Sequence, residues 1–387
     1  MHGTFHISMF LLAVGTVLFG FHYYIWARLV RDTDIKAFWR LAATLALAAM
    51  GCLIILGILF FRNNRVFSAT EIWVIFTWMG MALLMCFLLG AADVMKLLAV
   101  TIPSKIQKKP LDPERREFLA RATSGAVLLA DFFFSGLGLW NASAARVRVK
   151  RVSVILAQLP PSLDGYRLAQ ITDVHVGPTI GWEFVRTVVD EVNALKPDLI
   201  AITGDLVDGT VAQLKDKVAP LTELSAPDGV FFVTGNHEYY NGDLSNWLAW
   251  LEGAGIRTLH NERLSIRKGV DLAGTEDFTA HGDGQKQDIP KALSGRKGDK
   301  PVILLAHQPR SFDEARKWGV DLQLSGHTHG GQIFPFSIIV SLFQPYLAGF
   351  YRKGSSQLYV SRGTGYWGPP MRLGSPAEIT EITLRRG

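Results

Sequence analysis

At 387 residues the chain exceeds what one compact domain usually needs, so at least two structural units are expected. A formal net charge of +6 would suit nucleic acid if it were clustered on a folded surface, but much of the excess lies between Lys96 and Arg151 beside apolar stretches, where positive charge orients membrane segments and forms no duplex-binding face. The two cysteines, Cys52 and Cys86, sit inside apolar runs, which argues against a disulfide framework and a thiolate metal site.

Three apolar runs open the chain, at residues 5–26, 38–61 and 69–92. Each is near the ~20 residues that a helix needs to cross a ~30 Å hydrocarbon core. Tyr23, Tyr24, Trp26, Trp39, Trp73 and Trp78 mark their ends, as amphipathic rings do at headgroup level. A fourth run, 123–140, is interrupted by Asp131, an ionisable group costly at that depth. The expected division is an all-α transmembrane region of three helices over 1–102, a basic cytoplasmic linker over 103–122, a fourth apolar segment over 123–145 serving as anchor or signal, and a folded domain over 158–387. Apart from Asp93 and Asp131 the apolar runs carry almost no polar groups of the kind that line a transport path, so a transporter is not supported.

Basic residues set the orientation. Arg28, Arg31, Lys36 and Arg40 follow the first run, and Arg62 and Arg65 follow the second. Lys96, Lys105, Lys108, Lys109, Arg115, Arg116 and Arg121 follow the third. That alternation places the first and third loops in the cytoplasm and, if the fourth run crosses, the large domain on the extracytoplasmic side of the cell membrane. Arg146, Arg148, Lys150 and Arg151 weigh mildly the other way. Arg115-Arg116-Glu117-Phe118-Leu119, an apolar stretch and Ala142-Ser143-Ala144 read either as an internal twin-arginine export signal or as plain flanking charge. Cleavage after Ala144 is left open.

From Gln158 the pattern turns to short β-rich runs, at 167–172, 198–203, 230–234, 256–260, 302–306 and 321–325, alternating with amphipathic segments such as 181–195 and 211–224. This is an α/β layered domain, ample in length for a core. Polar blocks recur where the strands end: Asp173-Val174-His175; Gly204-Asp205 with Asp208; Gly235-Asn236-His237-Glu238; His307; and Gly326-His327-Thr328-His329. Ligands in open α/β sheets gather at the carboxyl ends of strands, so these blocks can meet. Imidazoles, carboxylates and an amide without thiolate suit Mn, Fe or Zn in a hydrolytic site. In Asp173-x-His175 and His327-x-His329 alternate side chains of an extended chain point the same way. Asp205, behind the small Gly204, is the natural carboxylate to bridge two ions, and two ions ~3.5 to 4 Å apart can clamp both oxygens of a phosphoryl displacement.

These five blocks, in this order, resemble the calcineurin-like metallophosphoesterase superfamily from about residue 168 to 332, and most closely its bacterial branch with N-terminal membrane segments or a twin-arginine signal and a GHTHGGQ block, here residues 326–332. The resemblance implies a calcineurin-like layered β-sandwich flanked by helices. It implies one metal held by Asp173, His175 and His329, a second held by Asn236, His307 and His327, Asp205 as bridge, and His237 as proton donor or transition-state stabiliser. Asp208 is either a group behind the ligands or a turn former; Glu238 orients a neighbour; His260 and His281 are non-ligands. Gly330 and Gly331 permit positive φ or close backbone approach.

The expected function is therefore hydrolysis of a phosphomonoester or phosphodiester, with a hydroxide on a dinuclear centre attacking phosphorus in line. The alternative is an envelope-binding module that keeps the fold without turnover. Residues 333–351 are unusually apolar and either pack in the core or form a lip that touches the bilayer or an acyl chain, which would bring lipid-linked or cell-envelope phosphates within the substrate class.

Overall fold

The computed structural model describes residues 2–61, 66–104, 112–280 and 286–387, and their side chains apart from those of 2–11, 99–104, 113 and 144. Arg62, Arg65, Lys105, Lys108, Lys109 and His281 lie outside the described residues. The chain divides into two compact units, Met1–Gly138 with Gly368–Pro370, and Leu139–Trp367 with Met371–Gly387.

The first unit is helical: α1 (His2–Trp26), α2 (Ala37–Phe60), α3 (Ala69–Ser104) and α4 (Pro113–Asn141). Leu, Ala, Met and Ile fill these stretches, and a helix satisfies its backbone N–H and C=O groups internally, as an apolar surrounding demands. Among the described residues Ala37–Phe60, Ala69–Leu98 and Glu114–Asn141 are long and apolar enough to cross a membrane, and they mark the chain as membrane-associated. α3 continues past the apolar run that ends at residue 92, because Met95, Lys96, Leu97 and Leu98 are still good helix formers although hydropathy has fallen. α4 begins early enough to include Arg115 and Arg116. Asp93 accepts from the Tyr24 hydroxyl at 2.6 Å and pairs with Arg28 Nε at 2.8 Å, whereas both buried oxygens of Asp131 have no hydrogen-bond partner among the described residues.

The second unit runs β1 (Arg148–Leu156), β2 (Arg167–Ile171), α5 (Trp182–Ala194), β3 (Leu199–Thr203), α6 (Val211–Val218), β4 (Val230–Val233), α7 (His237–Tyr240), α8 (Leu244–Gly253), β5 (Ile256–Thr258), β6 (Glu262–Ile266) and β7 (Val270–Gly274). It continues with α9 (Ile289–Ala292), β8 (Val302–Leu305), α10 (Phe312–Ala315), β9 (Leu322–Ser325), α11 (Phe336–Phe343), β10 (Gly349–Lys353), β11 (Ser356–Val360) and β12 (Glu378–Arg386). One six-stranded sheet has the order β1-β12-β2-β3-β4-β5 and a second has β10-β11-β9-β8-β7-β6. β2 to β5 are mutually parallel, as are β11, β9, β8 and β7.

Strands buried on both faces read as continuous β-branched and apolar runs, which is why Leu199-Ile200-Ala201-Ile202 and Val302-Ile303-Leu304-Leu305 are legible as central strands. Leu168, Leu199, Ala201, Phe231 and Val233 meet Leu272, Ile303, Leu305, Leu322 and Leu324 between the sheets. The outer face of the first sheet is covered through Val185, Val188 and Val192 of α5, Leu214 of α6 and Trp247 and Leu251 of α8. Ile289, Leu293 and Ala315 cover the outer face of the second. The result is the layered α/β sandwich the sequence implies, with the carboxyl ends of β2, β3, β4, β8 and β9 converging where the polar blocks lie.

Candidate metal centre

Each block follows a strand directly. Asp173 and His175 come after β2, Asp205 after β3, Asn236 and His237 after β4, His307 after β8, and His327 and His329 after β9. The chain turns sharply at these points: Asp173, His175, Asp205, His327 and His329 all have φ between 50° and 73°. Left-handed conformations at non-glycine residues cost ~1 to 3 kcal/mol each and persist where surrounding structure over-determines them, characteristically at functional sites. The glycines ahead of these residues permit the crowding: a Cβ on Gly326 would stand 2.1 Å from Asp173 Oδ2, and one on Gly235 would stand 2.2 Å from Asp205 Oδ1.

The side chains gather into clusters whose potential ligand atoms lie within 4.8 Å of one another: Asp173, His175 and His329; Asp205, His307 and His327; and His175, Asp208 and His237. In the first, the His175 and His329 Nε2 atoms face each other at 3.1 Å, and His329 Nε2 is 3.6 Å from Asp173 Oδ1. In the second, His307 Nε2 is 3.2 Å from Asp205 Oδ2. The same Asp205 oxygen is 3.8 Å from His175 Nε2, so it stands between the first two clusters. Asn236 Oδ1 and His327 Nδ1 are buried lone-pair atoms with no hydrogen-bond partner among the described residues. Buried polar atoms are normally satisfied, and two bare acceptors beside a carboxylate fit a cation. The all-nitrogen-and-oxygen donor set fits as well.

Electrostatics agrees with ligation. Burial and the neighbouring His307 push the His327 ring down to about 3, and burial, Arg372 and His175 hold His329 well below the usual imidazole range. Both rings are therefore neutral, the form that offers a lone pair to a metal. Burial alone would raise the Asp205 carboxyl, but the facing rings of His307 and His237 outweigh it and hold the group well below the ordinary carboxylate range.

In the third cluster one carboxylate links two rings. Asp208 receives His237 Nδ1 on one oxygen at 2.5 Å and His175 Nδ1 on the other at 3.2 Å. Burial raises its carboxyl, yet the two rings overcome that and keep it ionised. Its carboxylate thus bonds two imidazoles at once, which supports a place behind His175 and His237. Glu238 accepts the backbone N–H groups of Asp205, Leu206 and Gly235 at 3.0, 2.8 and 2.6 Å, clamping the loop that carries Asp205. His260 is drawn away to Glu276 Oε1 at 2.6 Å.

Two contributors have no motif to announce them. Arg372, 1% exposed, lies beyond the last block and places Nη2 3.0 Å from His329 Nδ1. The Trp367 ring meets His237 edge-on at 5.7 Å. Gly330 and Gly331 fulfil both expectations, with φ of 58° and 76°, and a Cβ on Gly331 would sit 2.4 Å from Ser337 Cα.

A family model described as calcineurin-like phosphoesterase matches residues 166–331. A Bos taurus "transmembrane protein with metallophosphoesterase domain" is 41% identical over 316 residues, covering 78% of this chain and 70% of that protein. An "uncharacterized metallophosphoesterase" of Helicobacter pylori is 39% identical over 285 residues, 72% of this chain and 75% of that one. Another from Aquifex aeolicus is 36% identical over 243 residues, 62% of this chain and 92% of that one.

Proposed function

This chain belongs to the calcineurin-like phosphoesterase family, and from that premise we propose that it is a membrane-anchored hydrolase of phosphate esters working with two metal ions, Mn, Fe or Zn. Asp173, His175 and His329 would hold one ion, Asn236, His307 and His327 the other, and Asp205 would bridge. The observation that carries this reading is the position of Asp205 Oδ2, 3.8 Å from His175 Nε2 of one cluster and 3.2 Å from His307 Nε2 of the other. Bound there, the cations would neutralise phosphoryl charge and lower the pKa of water.

The chain's own residues do the rest. As water forms its bond to phosphorus it releases a proton to solvent, the bond to the leaving oxygen breaks, and that oxygen keeps the electron pair. His237 Nε2 supplies it with a proton, while Asp208 holds Nδ1 and stabilises the ring in its charged form. The ester is a monoester or diester, and a lipid-linked or envelope phosphate falls within reach of a tethered domain. The test is stripping the full-length protein, adding back Mn, Fe or Zn, and assaying aryl mono- and diesters. Absence of turnover under every loading would overturn the reading.

The anchor is multi-pass in this proposal, with the segment over 123–145 holding the domain over 158–387 on the extracytoplasmic side. The alternating basic loops support it, and so does α4, which is continuous and long enough to span. A phosphatase reporter fused after Gly387 should be active; its silence beside a fluorescent cytoplasmic fusion would overturn the topology. Loss of that activity on changing Arg115 and Arg116 to Lys would assign export to the twin-arginine route.

A further inference from the structure

α11 spells Phe-Ser-Ile-Ile-Val-Ser-Leu-Phe, yet none of its residues is buried. Leu342 is 76% and Phe343 74% exposed, and Ile338, Phe334 and Trp367 are more than half exposed. The sequence reading offered core packing or an exposed lip for residues 333–351, and the structure divides them. Ile333 and Tyr346 turn inward, Tyr346 against Phe312 and Leu358, while the helix between them faces out. A contiguous apolar surface of this kind on a folded domain marks a place where something apolar docks.

That surface adjoins the metal centre. Ser337 of α11 rests on Gly331, two residues past His329, at the close approach that a Cβ there would forbid. Gln332 clasps Trp367 through both backbone groups, donating to its carbonyl at 2.9 Å and accepting its N–H at 3.0 Å. Trp367 in turn lies edge-on against His237. A group resting on the lip is thus led toward the proton donor.

The chemistry of the lip selects its occupant. Residues 332–351 contain no Asp, Glu, Lys, Arg or His, and the stretch closes on Arg352 and Lys353. An uncharged apolar helix with aromatic neighbours and a basic end suits the boundary of a bilayer, where side chains enter the acyl region and cations meet anionic headgroups. The same chain carries helices of membrane-spanning length, so a bilayer lies within reach of the tethered domain. A protein partner would more usually be met by a polar rim around the apolar centre.

We propose that α11 and Trp367 form an interfacial lip that enters the bilayer, and that the ester hydrolysed is the phosphate of a lipid whose acyl chains stay in that bilayer while its phosphate is presented to the metal centre. This rests on the phosphoesterase reading above and names its substrate class. The experiment uses the full-length, metal-loaded protein in phosphatidylcholine vesicles containing phosphatidic acid and a phosphatidylcholine with a photoreactive acyl chain. Peptide mapping should find label within Phe336–Phe343 as well as in the membrane helices, which serve as the internal control. In the variant carrying Leu342→Ser and Phe343→Ser, kcat/KM on phosphatidic acid should fall about tenfold or more while that on p-nitrophenyl phosphate stays within about twofold. Labelling of the membrane helices without Phe336–Phe343 would overturn the docking, and equal loss on both esters, or turnover of the aryl ester alone, would overturn the substrate class. If neither ester is hydrolysed the phosphoesterase reading falls, and the label still decides the docking.

Discussion

Arg372 aims its guanidinium at the ring of His329, with Nη2 3.0 Å from Nδ1. The contact lies on the ring nitrogen opposite the Nε2 that faces His175 and Asp173, so the guanidinium backs the ring and limits its orientation. The other N–H groups reach the carbonyls of Gly365 at 2.9 Å, Arg362 at 2.6 Å and Ser375 at 3.3 Å within the segment after β11, and a bond to the His329 carbonyl at 3.4 Å ties that segment to the loop after β9. Arg372→Met should loosen His329 and weaken the ion at Asp173, His175 and His329 by roughly 10- to 100-fold, the range for residues that orient metal ligands. Arg372→Lys keeps charge but loses the planar fork, and is expected to recover only part of the affinity. Chelator competition followed by elemental analysis reads this independently of turnover; unchanged affinity in the Met variant would reduce Arg372 to a structural role.

Asp205→Asn replaces a carboxylate that faces both clusters with an amide that cannot lend negative charge to two cations. Turnover should vanish and metal content should drop to one ion or none. Two tightly held ions with unchanged rates would remove Asp205 from the bridge.

His237→Ala should keep both ions and lower the rate by about 10² to 10⁴, the usual range for a positioned acid or base. Asp208→Asn should act in the same direction, since it releases His237, and should also disturb His175, which shares the carboxylate. A metal-depleted His237→Ala protein would show that this ring is a ligand.

Glu238→Gln loses an acceptor for backbone N–H groups in the loop that carries Asp205. Leaving buried donors unsatisfied costs about 1 to 3 kcal/mol, and Tm should fall by several degrees. An unchanged melting curve would show that the clamp is dispensable.

His260 and Glu276 give a pH test away from the metals. The bond to Glu276 raises the His260 pKa, so its contribution is complete below ~6.5 and is lost as pH climbs through the folded value. Burial raises the Glu276 carboxyl, but His260, Tyr239 and Thr234 outweigh it and lower the pKa, so its contribution is complete above ~4.3 and is lost as pH falls through the folded value. The pair stabilises most between those limits. His260→Gln should lower Tm near pH 5.5 by an amount worth at most ~1 kcal/mol, given how much solvent reaches the ring, and should leave Tm at pH 8.5 nearly unchanged. Equal losses at both values would mean that charge is not what binds them.

The blocks are legible because their strands are: an apolar run that stops at Asp173, Asp205 or His307 tells the reader both where the sheet ends and where chemistry begins. Arg372 is illegible for the opposite reason, since most of its partners are backbone carbonyls whose positions no side-chain pattern encodes. The outer strand β1 escapes periodicity because Arg148, Lys150 and Arg151 keep it wet along an edge, where charge guards against stray pairing. The left-handed turns at five of the expected ligands are likewise invisible, because Asp and His there look no different from Asp and His in any loop. For residues 333–351 composition alone could not separate a buried segment from an exposed one, since both are apolar.

The place of β12 in the first sheet bears on how the protein is made. It is synthesised after every other strand of the two sheets, yet it lies between β1 and β2, parallel to one and antiparallel to the other. A nascent chain stopped short of Glu378 already carries Asp173, Asp205, His307 and His329, but β1 has no neighbour and β2 has one bare edge. Such long-range pairings form slowly and leave apolar strands exposed while they wait. Synthesis of β12 must therefore precede closure of the first sheet, and translation arrested in that interval is expected to yield a chaperone-bound or degraded chain.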